Sequence, residues 1–432
     1  MEDIAHDYLE ELVQRCMVQV SKRSWSGRVK YCCVHDILHE LAIHKAKENN
    51  FLLVCSEFNA NSTNETSSRI RRITFHDCVG TELQEGSTSS NLRSLLFFAK
   101  DNYNKYEKVF LKTKLRMVRV LHSENDLVIS DPKYLKHLTT LRYFRSYRYG
   151  WYKQPTSFWK NKMHLEYFKI EADGSPKYFV KGPLPSANLE NLVTLNGVVA
   201  RDKWKVKLPY FPNIRKLGVL ITPEIDWEAI THSMSKLRHL HSLSVFTEWS
   251  AVLTHPCLTP AFKNFEQLHS LFLDCNWHGN VVGDSSLFPP SLVKLSLERS
   301  WLRQDPMPEL AKLPNLRILH LLTDSYNGYW LTFSAGGFRC LQQLKLSGLI
   351  WLVGLEVKEG AMPMLNLLKI QRCSLKDIPN LQYLKNLREL KLSYMRHEFC
   401  SKLKGADQHK VADIPSVKVK NSYSISEGDY CV

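Results

Sequence analysis

Residues 31–46, YCCVHDILHELAIHKA, hold side chains able to do chemistry. His35 and His39 stand four apart with Asp36 after the first. That is close to the H-E-x-x-H pattern, in which two imidazoles on one helical turn hold zinc and a glutamate acts as general base. Zinc needs three or four ligands at about 2.0–2.3 Å. Asp36 reads as a helix cap, which leaves His35 outside the helix and off the face of His39. Its carboxyl is also one methylene shorter than that of the usual glutamate base. Cys32 and Cys33 are adjacent, so strand alternation sends them to opposite faces. No metal is expected here, and His39 and His44 read as surface residues of a helix.

The elements that must position His35 and Asp36 follow from periodicity. In EDIAHDYLEELVQRCMVQV, Ile4, Tyr8, Leu9, Leu12 and Val13 recur at helical spacing, and the end of the stretch turns strand-like. A hairpin is expected over 17–34, turning near Gly27. After Asp36 a second helix carries Ile37, Leu38, Leu41, Ala42 and Ala46. Helix, β-wing and helix make the end of a winged-helix domain, too small to build much core alone.

The chain has 432 residues, 44% hydrophobic and 23% charged, which is the composition of a folded protein. Its net charge of +15 is spread along the whole length, whereas nucleic-acid binding needs a concentrated stripe. The acidic, amphipathic start is no secretion signal, and no apolar run approaches a membrane span. Eleven scattered cysteines without a C-x-x-C pair suit a reducing compartment, so a cytoplasmic location is expected.

From residue 92 onward the form L-x-x-L-x-L returns in thirteen registers, starting at Leu92, Val118, Leu141, Leu165, Leu192, Ile214, Leu240, Leu268, Leu292, Leu316, Leu341, Leu365 and Leu387. Neighbouring starts lie 22 to 28 residues apart, within the range of leucine-rich repeats. In LRELKLS, Leu387, Leu390 and Leu392 point inward while Glu389, Lys391 and Ser393 face out. A strand this short cannot bury its apolar face alone, so stacking is required. Asn276 and Cys373 fall at the bend, where the repeat favours Asn or Cys. The fold class is therefore an α/β solenoid, a leucine-rich-repeat horseshoe with a parallel concave sheet behind a small winged-helix remnant. The expected organisation is 1–57 winged helix, 58–68 linker, 69–400 repeats and 401–432 tail, with Ile70, Ile73 and Phe75 inward on an opening strand.

The run DYLEELVQRCMVQV, then GRVKYCCVHDILHELAIHKAKENNFLLV, then leucine-rich repeats, resembles the junction in plant nucleotide-binding leucine-rich-repeat disease-resistance proteins of the coiled-coil subclass. Val34-His35-Asp36 stands at the family's Met-His-Asp motif, whose histidine reaches the β-phosphate of bound ADP. The resemblance thus implies a nucleotide-switch role for His35 and Asp36. The family's G-x-x-x-x-G-K-[ST] loop does not occur in these 432 residues, so no cofactor is expected and the chain resembles the family's C-terminal portion. The resemblance implies a non-catalytic recognition and autoinhibition module of an intracellular immune receptor. Its partner would be a pathogen effector, a host guard protein or the receptor's own nucleotide-binding domain. The alternative is an adaptor such as a ubiquitin-ligase substrate receptor.

A partner is expected on the outward strand residues: Tyr143, Arg145, Tyr147, Tyr167, Lys169, Phe272, Lys294, Lys345, Lys369 and Lys391, with Asp274 and Glu298 beside them. The aromatic and basic stretch LRYFRSYRYGWYKQPTSFWK, residues 141–160, is open to two readings. It suits an interface, and equally a loop whose Trp151 and Trp159 cover the core.

Overall fold

The computed structural model describes residues 2–23, 27–55, 70–76, 91–98, 115–126, 135, 137–147, 159, 162–171, 189–200, 211–222, 227–247, 262, 265–276, 285–377, 379–405 and 407–420. The chain forms two compact units, Met1–Val128 with His137–Phe144, and Ile129–Lys136 with Arg145–Val432. The expected linker at 58–68 lies outside the described residues. No helix among those described is long and apolar enough to cross a membrane.

The first unit opens with helix α1 (Glu2–Gln14), an antiparallel hairpin of β1 (Gln19–Arg23) and β2 (Val29–Cys33), and helix α2 (Asp36–Glu48). The cap of α2 differs from expectation. His35, extended at φ −63° and ψ 140°, precedes the helix, and its Nδ1 accepts from the Ile37 amide at 3.4 Å. Asp36 is the first helical residue, a position where negative charge suits the positive helix end. Among the described side chains of residues 4–51, Val18 alone is buried, while Ile4, Tyr8, Ile37 and Leu41 stay exposed. So small an assembly encloses no core of its own.

Four parallel strands follow: β3 (Leu53–Cys55), β4 (Arg72–Phe75), β5 (Ser94–Phe97) and β6 (Val120–Asp126), each paired with the next. Ile73, Phe75, Leu95, Phe97 and Leu121 are buried, and the rings of Phe75 and Phe97 stack at 5.0 Å. Strand pairing thus begins at Leu53, before any L-x-x-L-x-L pattern, because backbone groups rather than leucines make the ladder. Strand β7 (Tyr143–Tyr147) gives its first two residues to this unit.

In the second unit, parallel pairing runs through β8 (Tyr167–Glu171), β9 (Thr194–Val199), β10 (Lys216–Ile221), β11 (Ser242–Thr247), β12 (Ser270–Asp274), β13 (Lys294–Glu298) and β14 (Ile318–Leu321). It skips β15 (Trp330–Phe333) and β17 (Gly354–Val357), which form a separate two-stranded parallel sheet. It continues through β16 (Gln343–Ser347), β18 (Leu367–Gln371), β19 (Glu389–Ser393) and β20 (Ser416–Lys420). Strand β20 lies within the stretch read as tail, so pairing also reaches beyond residue 400.

One inward row shows how the core is made. Leu217, Leu243, Leu271, Leu295, Leu319, Leu344, Leu368 and Leu390 stand register partner to register partner, each no more than 2% exposed. Each such side chain contributes about 1.5–3 kcal/mol by leaving water. At the last described strand the row ends on Val417, 37% exposed, with no further described strand paired beyond it.

Polar side chains tie repeat to repeat at the turns before the strands. Asn191, Asn213, Asn315 and Asn386 donate through Nδ2 to the carbonyls of Met163, Glu190, Pro290 and Pro363, at 2.7–3.1 Å. Each stands directly before the first apolar residue of its repeat. At the bend after β18, Cys373 is buried with its Sγ 3.4 Å from the Gln371 carbonyl oxygen, and burial pushes its thiol up to about 11. Lys162 is fully buried, its Nζ donating to the Leu135 carbonyl at 3.0 Å, and burial pushes its amine down to about 8.

Asp274 departs from the expected outward position. It is 1% exposed at the end of β12, where Arg299 grips both carboxylate oxygens at 2.5 Å. Alternation sends it outward, but the chain bends there and the next repeat's arginine closes over it. Burial pushes its carboxyl up to about 7, against the pull of Arg299.

Two outcomes follow for stability. Leu319→Ala should cost about 2–5 kcal/mol in urea unfolding, whereas Lys369→Ala, on the outward face, should change it little. A loss below about 1 kcal/mol for Leu319→Ala would refute the stacked core. Because the folded carboxyl of Asp274 lies above its ordinary value, its contribution is complete below about pH 4 and lost as pH rises through about 7. Arg299→Leu strands that carboxylate, so its destabilisation should approach about 3–5 kcal/mol at alkaline pH and shrink near pH 5. Equal losses in thermal unfolding at both pH values would overturn the pairing.

Candidate functional site

The outward face arises from strand alternation: with leucines committed inward, the residues between them fall on the other face, where Ser296 is nonetheless only 2% exposed. In the first unit, Tyr143 closes a run of neighbouring rings, His76 to Phe98 at 5.0 Å, Phe98 to His122 at 5.6 Å and His122 to Tyr143 at 6.2 Å.

In the second unit, Arg145 donates to Glu171 at 3.0 Å, and Lys169 pairs with the other oxygen of the same carboxylate. Burial raises the Glu171 carboxyl, but those two cations outweigh it and hold the group below its ordinary value. Tyr167 is half-buried in the same strand. Of the side chain of Tyr147, and of Trp151, nothing is described. Trp159 is buried, its ring 5.0 Å from that of Phe168, so this part of the 141–160 stretch covers the core.

Strand register joins outward residues from distant repeats into a single row. It runs Lys169, Asn196, Gly218, Ser244, Phe272, Ser296, His320, Lys345, Lys369, Lys391 and Lys418, one per strand. Phe272 packs on Phe246 with ring centroids 5.3 Å apart, and His320 Nδ1 lies 3.3 Å from Ser296 Oγ. Lys294 stands apart from the other lysines, in the neighbouring row with Ser270 and Ile318. The row ends in four lysines on adjacent strands, about 4.8 Å apart. Glu389 contacts Lys391 at 2.7 Å and Lys418 at 3.0 Å, and their hydrogen bonds hold its carboxyl low. Glu298, raised by burial, feels the charge of Lys345. Lys369 makes no ion pair among the described residues.

His35 and Asp36 are exposed at the start of α2. With Nδ1 turned to its own helix and no glycine-rich loop in the sequence, these residues do not fit a nucleotide by themselves. Among the described residues no group of three or more His, Cys, Asp or Glu could hold a metal ion.

Two features escape the sequence reading. Lys418 belongs to a strand without the leucine pattern, and only its pairing with β19 places it beside Lys391. Trp301, Tyr329, Trp330 and Trp351 are exposed near the bends of consecutive repeats, and the Trp330 ring fills the space a side chain on Gly354 would need. Large residues where a bend wants small polar ones were the available signal.

Comparison with protein families agrees with this architecture. Residues 91–414 match the leucine-rich repeat region family, and residues 1–42 match the disease resistance protein winged helix domain. Two relatives from Arabidopsis thaliana, probable disease resistance RPP8-like protein 2 and disease resistance protein RPP8, are each 29% identical over 98% of this chain and 49% of their own length. The chain thus spans about half the length of these curated relatives. Among solved structures, the leucine-rich-repeat protein LIC12759 of Leptospira interrogans has 14% identity and a TM-score of 0.47, over 84% of this chain and 99% of that one. The chain belongs to the leucine-rich-repeat family, with the winged helix of disease resistance proteins set ahead of its repeats.

Proposed function

We propose that this chain is the non-catalytic, protein-recognising part of a plant immune receptor working in the cytoplasm. The observation that carries this reading is the outward row of the second unit, where polar, aromatic and charged side chains recur strand after strand on the face opposite the leucines. Its partner is a protein: a pathogen effector, a guarded host protein, or the nucleotide-binding domain that such a module restrains. Tyr143, Arg145, Tyr167, Lys169, Phe272, Lys294, Lys345, Lys369 and Lys391 are the contact candidates. His35 and Asp36 keep the position of the family's switch, which acts only beside a phosphate-binding loop that these 432 residues do not contain.

A photo-crosslinking residue placed at Phe272 should capture a discrete protein from leaf extract, healthy or infected. The same residue at Arg339, exposed beyond the strands, should not. In the chain without the crosslinker, Tyr167→Ala combined with Phe272→Ala should weaken binding of the captured protein about tenfold, or about 1.4 kcal/mol. Equal capture from both positions, or ATP hydrolysis by the purified chain, would sink the proposal.

A further inference from the structure

We infer that the row Lys345, Lys369, Lys391 and Lys418 docks an acidic polypeptide segment. This rests on the protein-recognition reading and adds the chemistry of the partner.

Like charges directly opposite each other on neighbouring strands repel, and the sheet gains nothing from them. Here four lysines from consecutive paired strands do so, at β16, β18, β19 and β20. Between Asn196 and Ser296 the same row carries no charge, and Lys169 at its far start is paired with Glu171, so the cationic end is local. Internal neutralisation is incomplete. One carboxylate, Glu389, serves both Lys391 and Lys418. Lys369, in the middle, has no ion pair among the described residues. By sequence, strands β16, β18, β19 and β20 carry five lysines, Lys420 included, against the one carboxylate of Glu389, a formal net +4.

The flanking rows tell which anion fits. On one side stand Gln343, Leu367, Glu389 and Ser416, and on the other Ser347, Gln371, Ser393 and Lys420. Amides and hydroxyls can hydrogen-bond a peptide backbone, and Leu367 offers one apolar contact. Neither flank presents an aromatic ring for base stacking, which single-stranded nucleic acid uses for affinity. Glu389 would also repel an unbroken run of phosphates, whereas a peptide can leave a gap there. In an extended segment, carboxylates at alternate positions lie about 6.8 Å apart, within reach of flexible lysines about 4.8 Å apart.

The test uses the full 432-residue chain and a short fluorescein-labelled peptide of alternating Glu and Ser, read by anisotropy. The Glu peptide should bind and its Gln counterpart should not. Lys345→Gln with Lys369→Gln should weaken binding about tenfold, while Lys358→Gln with Lys385→Gln, on exposed turns, should leave it within about twofold. Circular dichroism should show both double variants folded, since all four side chains lie outside the core. Equal weakening by the two pairs, or an oligo-dT or anionic vesicle binding more tightly with the same lysine dependence, would overturn the assignment. If the acidic peptide fails to bind while crosslinking from Phe272 still captures a protein, only the partner chemistry falls. If crosslinking fails as well, the recognition reading falls with it.

Discussion

The structure depends on one constraint: a strand of three to seven residues cannot hide its apolar face by itself. Leu271, Leu295 and Leu319 are buried because each has the same residue above and below it, and backbone ladders hold the spacing. The asparagines that reach back to the preceding turn add a second tie, independent of the leucines. Stability in such a molecule is a sum over neighbouring repeats. On the last described strand Val417 stands partly open to solvent.

The same constraint makes a recognition surface. Once inward positions are committed, the outward ones are free to vary in chemistry while their geometry stays set by register. Phe272 next to Ser296, or Lys369 next to Lys391, is a consequence of backbone pairing and not of any attraction between them. The strand ends behave differently. Asp274 occupies a position that alternation sends outward, yet the bend and Arg299 enclose it, so its charge serves the fold and is withdrawn from any partner.

The N-terminal elements obey the opposite economy. Helices α1 and α2 and the hairpin between them keep most apolar side chains exposed, since so few residues enclose no volume. His35, the most suggestive residue on chemical grounds, spends its acceptor on the amide two residues on. Helix capping explains its contact here, and a phosphate partner would have to come with groups outside these residues.

Sequence alone determined the repeat, its period, its inward leucines and the helix–hairpin–helix start, because each follows from local periodicity and from what water excludes. It also marked Lys345, Lys369 and Lys391 as outward, by alternation within single strands. It did not find the strands at 53–55 and 416–420, the burial of Asp274 and Lys162, or the neighbourhood of Lys418. Each of these depends on backbone pairing or on a side chain tens of residues away. Charge shows the difference most plainly: spread evenly along the chain, the lysines became a concentrated patch only when register brought residues 22 to 27 apart onto adjacent strands.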